Sequence, residues 1–392
     1  MSLSVFSVLA TLVVIEGALR VVKLAPTVHH RRQVHELFCE HDSLLGWRKI
    51  PNFSGLRVTE EYQVLEKFNS KSIRGPEYSY DKEEGSLRIL ILGDSFVEGY
   101  TVPFESLFSE TMERELKQAG VSAQVINMGT GGYSTDQELL RFEQEGVKYH
   151  PDIVVLMVYS NDIWYNAQNI YWIGPKPMFI IEDDELRLTN VPVPLPSEGG
   201  DIFAQRELGF HRKLMKWFGE NFYLYRLLAK AVTNVHWSRN IAASLGLIEG
   251  GIPDQLRVWQ REHDPEVRFA WDITKRLLLR LEERVERSGG KFIISYVPER
   301  ASIYPQEWAA TKRKYGLSDQ EWSIEQVGID LEQFCRQHSI PFVDPTRRFR
   351  EAADELHSSG ESLYCVTEGH WNVSGHRLVG EILAQYIEDL LE

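Results

Sequence analysis

The sequence of 392 residues has only three cysteines, Cys39, Cys335 and Cys365, and they lie far apart. Such an odd and sparse set, without a Cys-x-x-Cys pair, predicts neither a disulfide framework nor a zinc site. An excess of basic residues is also missing, since 43 lysines and arginines stand against 57 acidic residues and give a net charge of −14. Proteins that bind nucleic acid usually present a basic surface, so we expect no nucleic-acid partner.

Long apolar runs are rare, and the clearest one lies at the N terminus. Residues 2–15 are largely apolar and uncharged, and the run resumes after Glu16 until Arg20 interrupts it again. One helix of roughly 20 residues would reach across a bilayer, but two charged residues make this a marginal span. A signal peptide usually has basic residues before its apolar run, and none precedes this one. We predict that residues 1–23 form an uncleaved membrane anchor, on an undetermined side; a buried helix of a soluble protein is the alternative.

From residue 88 onward, short β-rich segments alternate with longer helical ones. The predicted strands share an apolar character along their whole length, and they cover residues 88–93, 123–127, 153–159, 292–297 and 341–344. Strands of this kind pair in parallel and have helices on both faces. We therefore predict an α/β protein with a flavodoxin-like, three-layer α/β/α fold and a five-stranded parallel sheet. In such sheets the functional site lies at the carboxyl ends of the strands.

The helices and the domain organisation follow from the same alternation. Helical spacing of apolar residues predicts helices at residues 104–119, 134–147, 267–287, 318–337 and 374–391. Residues of about 165–265 differ in character and contain a predicted hairpin at 176–196 and an aromatic-rich helix at 210–228. We interpret them as a subdomain inserted into a catalytic domain of residues 88–392, which residues 24–87 precede as a lead-in segment.

Three polar runs each follow a predicted strand. Gly-Asp-Ser at 93–95 places Ser95 just past the first strand, where its hydroxyl would become a nucleophile if a base removed the proton. A glycine-rich run at 127–134 follows the second strand and could direct backbone N–H groups at a ligand. Asn161 follows the third strand, and its side-chain amide could donate to a developing oxyanion. All three runs should meet at one edge of the sheet.

A fourth run, residues 367–376, precedes the last predicted helix. His370 is the candidate general base, because histidine titrates near neutral pH. Glu368, two residues earlier, could orient the imidazole and stabilise its charged form. Asp344 at the end of the fifth strand is an alternative acid, and a Ser95–His370 dyad without an acid is another. His376 is expected on the final helix, away from the chemistry.

In this order the four runs resemble the sequence blocks of the SGNH (GDSL-type) hydrolases, over roughly residues 88–391 apart from the insertion. Leu-Gly-Trp at 45–47 and the run at 69–75 resemble the lead-in of bacterial members that have an N-terminal hydrophobic segment. The resemblance implies that Ser95 is the nucleophile. It also implies an oxyanion hole formed by the N–H of Ser95, the N–H of Gly132 and the side chain of Asn161, with Gly131 as the alternative glycine.

One position departs from the family pattern. The last block is usually Asp-x-x-His or Asp-x-His-Trp, whereas here Glu368 stands where the second form has aspartate, before His370 and Trp371. Glutamate does serve as the third residue in some serine hydrolases. We therefore assign Glu368 as the acid, although its side chain is one methylene longer than that of aspartate.

The sequence thus predicts a serine esterase that hydrolyses acyl or acetyl esters of small molecules or glycans. Ser95, His370 and Glu368 would form the catalytic triad, and we expect neither a metal nor an organic cofactor. Transfer of the acyl group to a sugar hydroxyl by the same residues is the first alternative. A binding module that has kept the fold without turnover is the second. The oligomeric state has no signature in the sequence.

Overall fold

The computed structural model describes residues 3–22, 38–195, 214, 217–219, 221–245, 247–248 and 250–392. The chain divides into two compact units. The larger unit comprises residues 32–199, 254–305 and 320–392, and the smaller unit comprises residues 1–31, 200–253 and 306–319. The two units are described separately below.

A five-stranded sheet forms the centre of the larger unit. The described strands of the whole chain are β1 (Cys39–Asp42), β2 (Gly46–Lys49), β3 (Ser54–Val58), β4 (Gln63–Lys67), β5 (Leu87–Leu92), β6 (Ala123–Asn127), β7 (Ile153–Val158), β8 (Met178–Glu182), β9 (Glu185–Thr189), β10 (Lys291–Tyr296) and β11 (Phe342–Val343). The central sheet has the order β11-β10-β7-β5-β6, and all of its pairs are parallel. Every residue of β7 is buried, as expected for a strand covered on both faces. The predicted parallel sheet is confirmed, with each strand end within one residue of its predicted position.

Helices cover this sheet and form most of the described part of the smaller unit. The described α-helices are α1 (Leu3–Val21), α2 (Ser95–Glu98), α3 (Phe108–Gln118), α4 (Thr135–Gln144), α5 (Ser160–Tyr165), α6 (Tyr223–Thr233), α7 (His236–Ser244), α8 (Pro265–Arg287), α9 (Arg300–Ile303), α10 (Pro305–Tyr315), α11 (Gln326–His338), α12 (Thr346–His357) and α13 (Val373–Leu391). The apolar faces of α3, α12 and α13 contribute to one core with β5, β6 and β7. The three-layer arrangement agrees with the fold predicted from the sequence.

Two helix predictions need correction. The predicted helix at 318–337 begins only at Gln326, because Trp322 is buried and its backbone pairs with that of Gln260 in a short β-bridge. The predicted helix at 210–228 lies partly outside the described residues, and it is interrupted at Phe222, which has extended backbone angles (φ −127°, ψ 121°). The predicted hairpin at 176–196 is present as β8 and β9.

The lead-in segment forms two antiparallel hairpins, β1–β2 and β3–β4, which sequence patterning did not predict. Their inner side chains pack against the catalytic region. The indole N–H of Trp47 donates to the carbonyl of Gly131 at 3.0 Å, and the hydroxyl of Tyr133 donates to the carbonyl of Trp47 at 2.6 Å. The lead-in segment is therefore fastened to the glycine-rich run that follows β6.

In the smaller unit, α1 contacts the start of α6. The carboxylate of Glu16 accepts the backbone N–H groups of Tyr223 and Leu224 at 3.0 and 2.8 Å, and it pairs with Arg20 at 2.8 Å. The two charges that interrupt the apolar run thus bind each other and cap a neighbouring helix. Over the described residues, no helix has both the length and the apolar character that crossing a membrane requires.

Candidate active site

A tight turn after β5 fixes the position of Ser95. Gly93 has a φ of +157°, and a Cβ atom there would lie 2.2 Å from Cγ2 of Val97, so only glycine fits. Asp94 caps the short helix α2 by accepting the N–H of Phe96 at 2.8 Å. Ser95 is consequently the first helical residue at the carboxyl end of a buried strand, as the sequence predicted.

Ser95 and His370 are in hydrogen-bonding contact. The Oγ atom of Ser95 lies 2.8 Å from Nε2 of His370, although 275 positions separate the two residues in the chain. The neighbouring Trp371 is completely buried, and its carbonyl accepts the hydroxyl of Thr101 at 2.7 Å. The ring of Phe96 lies 4.6 Å from the imidazole, measured between centroids. This geometry suits proton transfer from the serine to the histidine.

The other imidazole nitrogen faces Glu368 and a residue that the sequence did not predict. Nδ1 of His370 lies 3.2 Å from the main-chain oxygen of Glu368 and 3.1 Å from the hydroxyl of Tyr100. The Tyr100 hydroxyl also donates to Oε2 of Glu368 at 3.5 Å. The alternative acid, Asp344, instead accepts the N–H of Thr346 at 2.9 Å at the start of α12. Tyr100 has no sequence signal, because its partners lie about 270 residues away.

The glycine-rich run reaches the serine, and its two candidate glycines differ. A Cβ atom on Gly131 would lie 3.7 Å from Cβ of Ser95, but the N–H of Gly131 donates to Oε2 of Glu98 at 2.6 Å and is thereby occupied. Gly132 has a φ of +82°, and a Cβ atom there would lie 2.6 Å from Cδ1 of Ile173. Among the described residues, no protein acceptor for the N–H of Gly132 is present. Gly132 is therefore the better candidate for an oxyanion donor.

Asn161 lies in the first turn of α5, directly after β7. Because β7 is the neighbour of β5 in the sheet, this turn lies beside the turn that carries Ser95. The Oδ1 atom of Asn161 is buried without a hydrogen-bond partner among the described residues.

His376 lies on α13, where burial, followed by Arg74 and His370, lowers its pKa to about 3. Its Nδ1 atom accepts the N–H of Phe108 at 3.3 Å. It is thus a neutral structural residue.

A buried ion pair lies behind the glycine-rich run. Nζ of Lys49 lies 2.7 Å from Oε1 of Glu98, and both side chains are only 1% exposed. Arg57 approaches the same carboxylate at 3.8 Å and pairs with Glu66 at 2.6 Å. Burial alone would raise the pKa of Glu98, but Lys49 and Arg57 outweigh it and lower this pKa to about 2. The carboxylate that holds Gly131 therefore stays charged at neutral pH.

Comparisons with known proteins found two matches to part of this chain. Residues 91–176 match the model of the GDSL-like lipase/acylhydrolase family. An arylesterase of Vibrio mimicus is 32% identical over 133 residues, which cover 33% of this chain and 66% of that protein, just under two thirds of its length. These two matches support the predicted ester-hydrolysing enzyme.

Solved structures add little to the assignment. An acetyl xylan esterase is 13% identical with a TM-score of 0.39, and the match covers 77% of this chain and 100% of that chain. An α/β hydrolase from the metagenome of Lake Arreo is 13% identical with a TM-score of 0.40, and covers 79% and 98%. Likeness at this level carries no information about the substrate.

Within the described part of the chain, no cluster of three or more His, Cys, Asp or Glu side chains is arranged to hold a metal ion.

Proposed function

We propose that this chain, whose residues 91–176 carry a GDSL-like lipase/acylhydrolase domain, is a serine esterase with Ser95 as its nucleophile. The 2.8 Å contact between Oγ of Ser95 and Nε2 of His370 carries the proposal. The 32%-identical arylesterase points to small acyl esters of aryl alcohols as the first substrates to test. Acetyl esters of glycans remain in the proposed range.

The proposed reaction has two steps. His370 removes the proton from Ser95 while Oγ attacks the ester carbonyl, and the imidazolium then donates this proton to the departing alcohol. The acyl group stays on Ser95 until His370 removes a proton from a water molecule, which attacks the acyl carbon. The imidazolium then returns this proton to Oγ of Ser95 as the bond to the acyl group breaks and the acid leaves. Glu368 supports the imidazolium, either directly or through its neighbours.

The oxyanion of both tetrahedral intermediates needs donors at the carboxyl edge of the sheet. The N–H groups of Ser95 and Gly132 and the side-chain amide of Asn161 are the proposed donors. The engagement of Gly131 by Glu98 supports Gly132, because it leaves the second glycine as the donor of this run. Loss of one such donor typically costs about 2.7–4 kcal/mol of transition-state stabilisation.

Covalent labelling tests the assignment of Ser95. A fluorophosphonate should label the purified protein at a single serine, with loss of esterase activity in proportion to labelling, because the probe reacts with an activated serine. Ser95→Ala should not be labelled, whereas Ser359→Ala, which changes an exposed serine after α12, should be labelled like the wild type. Mass spectrometry of the labelled peptide and hydrolysis of aryl acetates provide the two measurements.

Three results would contradict the proposal. Folded wild-type protein that takes up no label would favour the binding module. Activity retained in Ser95→Ala would show that another residue is the nucleophile. Acyl transfer to an added sugar that exceeds hydrolysis would favour the transferase, which uses the same residues with a different acceptor.

We further propose that the smaller unit binds the surface of anionic membranes. It contains 13 lysines and arginines against 7 acidic residues, a net charge of +6, whereas the larger unit has 30 against 50 and a net charge of −20. Apolar side chains on its helices are exposed to solvent, among them Val13 (71%), Val14 (70%) and Trp237 (67%). Exposed apolar side chains and a basic net charge each favour binding of this unit to the surface of an anionic bilayer.

Flotation with lipid vesicles tests the membrane proposal. The protein should float with vesicles that contain phosphatidylserine and much less with phosphatidylcholine alone, because each basic residue gains about 1 kcal/mol at an anionic surface. Val13→Ser combined with Val14→Ser should lower binding by about tenfold or more, since these side chains would no longer enter the interface. The control, Phe269→Ser with Ile329→Ser, changes exposed apolar residues of the larger unit. Equal binding to both vesicle types, or none, would contradict the proposal.

A further inference from the structure

The hydroxyl of Tyr100 lies between the proposed acid and the proposed base. It is 3.1 Å from Nδ1 of His370 and 3.4 Å from Nε2, and it donates to Oε2 of Glu368 at 3.5 Å. We infer that Tyr100 links the carboxylate of Glu368 to His370, so that the acid acts on the histidine through the phenol hydroxyl. The inference rests on the proposed function and names a positioning residue for that same site.

The required proton positions are consistent with one tautomer. When Nε2 of His370 accepts the proton of Ser95, Nδ1 must carry its own proton, which can be donated to an oxygen. The main-chain oxygen of Glu368, 3.2 Å from Nδ1, is such an acceptor, whereas the Tyr100 hydroxyl is nearly equidistant from both ring nitrogens and therefore lies over the face of the ring. The Tyr100 oxygen faces the imidazole ring with its lone pairs while its own proton points to the carboxylate of Glu368. No proton has to leave either residue, and the negative charge polarises the whole chain toward the imidazolium.

This arrangement accounts for the departure at position 368. The backbone turns between Glu368 and His370, where Gly369 has a φ of +74°. With the main-chain oxygen of Glu368 already 3.2 Å from Nδ1, the longer glutamate side chain reaches the tyrosine hydroxyl. The tyrosine hydroxyl thus lies between the carboxylate and the imidazole.

The β3–β4 hairpin of the lead-in segment holds Tyr100 in place. The guanidinium of Arg57 on β3 lies 4.4 Å from the centre of the Tyr100 ring, and its salt bridge with buried Glu66 on β4 fixes it there. The ring of Tyr62, in the hairpin turn, lies 6.4 Å from the Tyr100 ring. A cation on the ring face and an aromatic neighbour restrict the rotation of the tyrosine side chain.

The same hairpin binds the loop that carries Glu368. The carboxylate of Glu61 accepts the N–H groups of Val366 and Thr367 at 2.7 and 2.9 Å. Burial raises the pKa of Glu61, but the hydrogen bonds from Thr367 and its neighbours together outweigh it and hold this pKa below its ordinary value. One hairpin therefore positions both partners of the proposed link, and it lies outside the residues that match the family model.

A double-mutant cycle tests the link. Tyr100→Phe keeps the ring beside Arg57 and removes only the hydroxyl, so kcat should fall about 10- to 100-fold while KM changes less than about twofold. Glu368→Gln should lower kcat by a similar factor. If the carboxylate acts through Tyr100, the double variant should be no slower than Tyr100→Phe alone, because the two residues form one chain.

A matched control is Tyr80→Phe, which also removes a hydroxyl that donates to a carboxylate, that of Glu145 at 2.6 Å. This variant should retain wild-type kcat. A Tyr100→Phe variant with wild-type kcat would overturn the inference, as would independent, multiplying losses in the double variant. Activity that survives Ser95→Ala would instead overturn the proposed function, so the two failures are distinguishable.

Discussion

Replacing His370 by alanine is expected to lower kcat/KM for an aryl ester by about 10⁴- to 10⁶-fold. The reason is the 2.8 Å contact with Ser95, since a serine hydroxyl without a base is a weak nucleophile at neutral pH. The oxyanion donors remain in this variant, so a residual rate above the uncatalysed reaction should persist. Steady-state kinetics with a chromogenic acetate ester, and a check that the unfolding midpoint is unchanged, measure the effect.

A double variant that combines His370→Ala with Ser95→Ala tests this prediction further. Nucleophile and base act as one unit, so the double variant should lose no more activity than either single variant. His357→Ala, which changes an exposed histidine at the end of α12, should behave as the wild type. A loss of less than about a hundredfold in His370→Ala would show that another base serves Ser95.

The sheet and the serine turn could be predicted because their signals are local. Strands that are buried on both faces read as continuous apolar runs, and β5 and β7 are of this kind. The turn at Gly93 could be predicted because a glycine stands directly after the end of such an apolar run. Helix α12 was not predicted, although Asp344, which accepts the N–H of Thr346, and Pro345 are local signals for the start of a helix.

The contacts behind the site could not be predicted, because they join segments that are distant in the sequence. Tyr100 and Glu368 are 268 positions apart, and Lys49 and Glu98 are 49 apart. Periodicity and composition place residues on elements, but they do not show which side chains of a hairpin meet a loop. From the sequence, the lead-in segment could only be said to resemble that of a known family. In the structure it contacts both the glycine-rich run and the loop that carries His370.

Replacing Lys49 by methionine is expected to destabilise the larger unit by about 3–5 kcal/mol at neutral pH. Methionine fills a similar volume, but it leaves the carboxylate of Glu98 buried without its nearest cation, and Arg57 is 3.8 Å away and already paired with Glu66. An uncompensated buried charge is among the most costly changes in a protein interior. Urea unfolding followed by tryptophan fluorescence should show a lower midpoint.

The pH dependence separates this cause from a simple loss of packing. The folded-state pKa of Glu98, about 2, is below its ordinary value of 4.5, so its charged form stabilises the wild type above about pH 4.5. This contribution is lost as the pH falls from about 4.5 to about 2. Without Lys49 the pKa of Glu98 should rise, because burial then dominates, so the variant loses less on acidification. The difference in stability between wild type and variant should therefore narrow over that range.

Removing the second charge should restore part of the stability. In Lys49→Met with Glu98→Gln, no unpaired charge remains, and the amide oxygen of glutamine can still accept the N–H of Gly131. The double variant should thus be more stable than Lys49→Met alone, and its stability should vary less with pH. A double variant that is less stable than Lys49→Met would show that the ion pair is not what couples these residues. Because Glu98 lies three residues after Ser95 and binds the residue beside Gly132, we expect Lys49→Met also to lower kcat and the double variant to recover part of it.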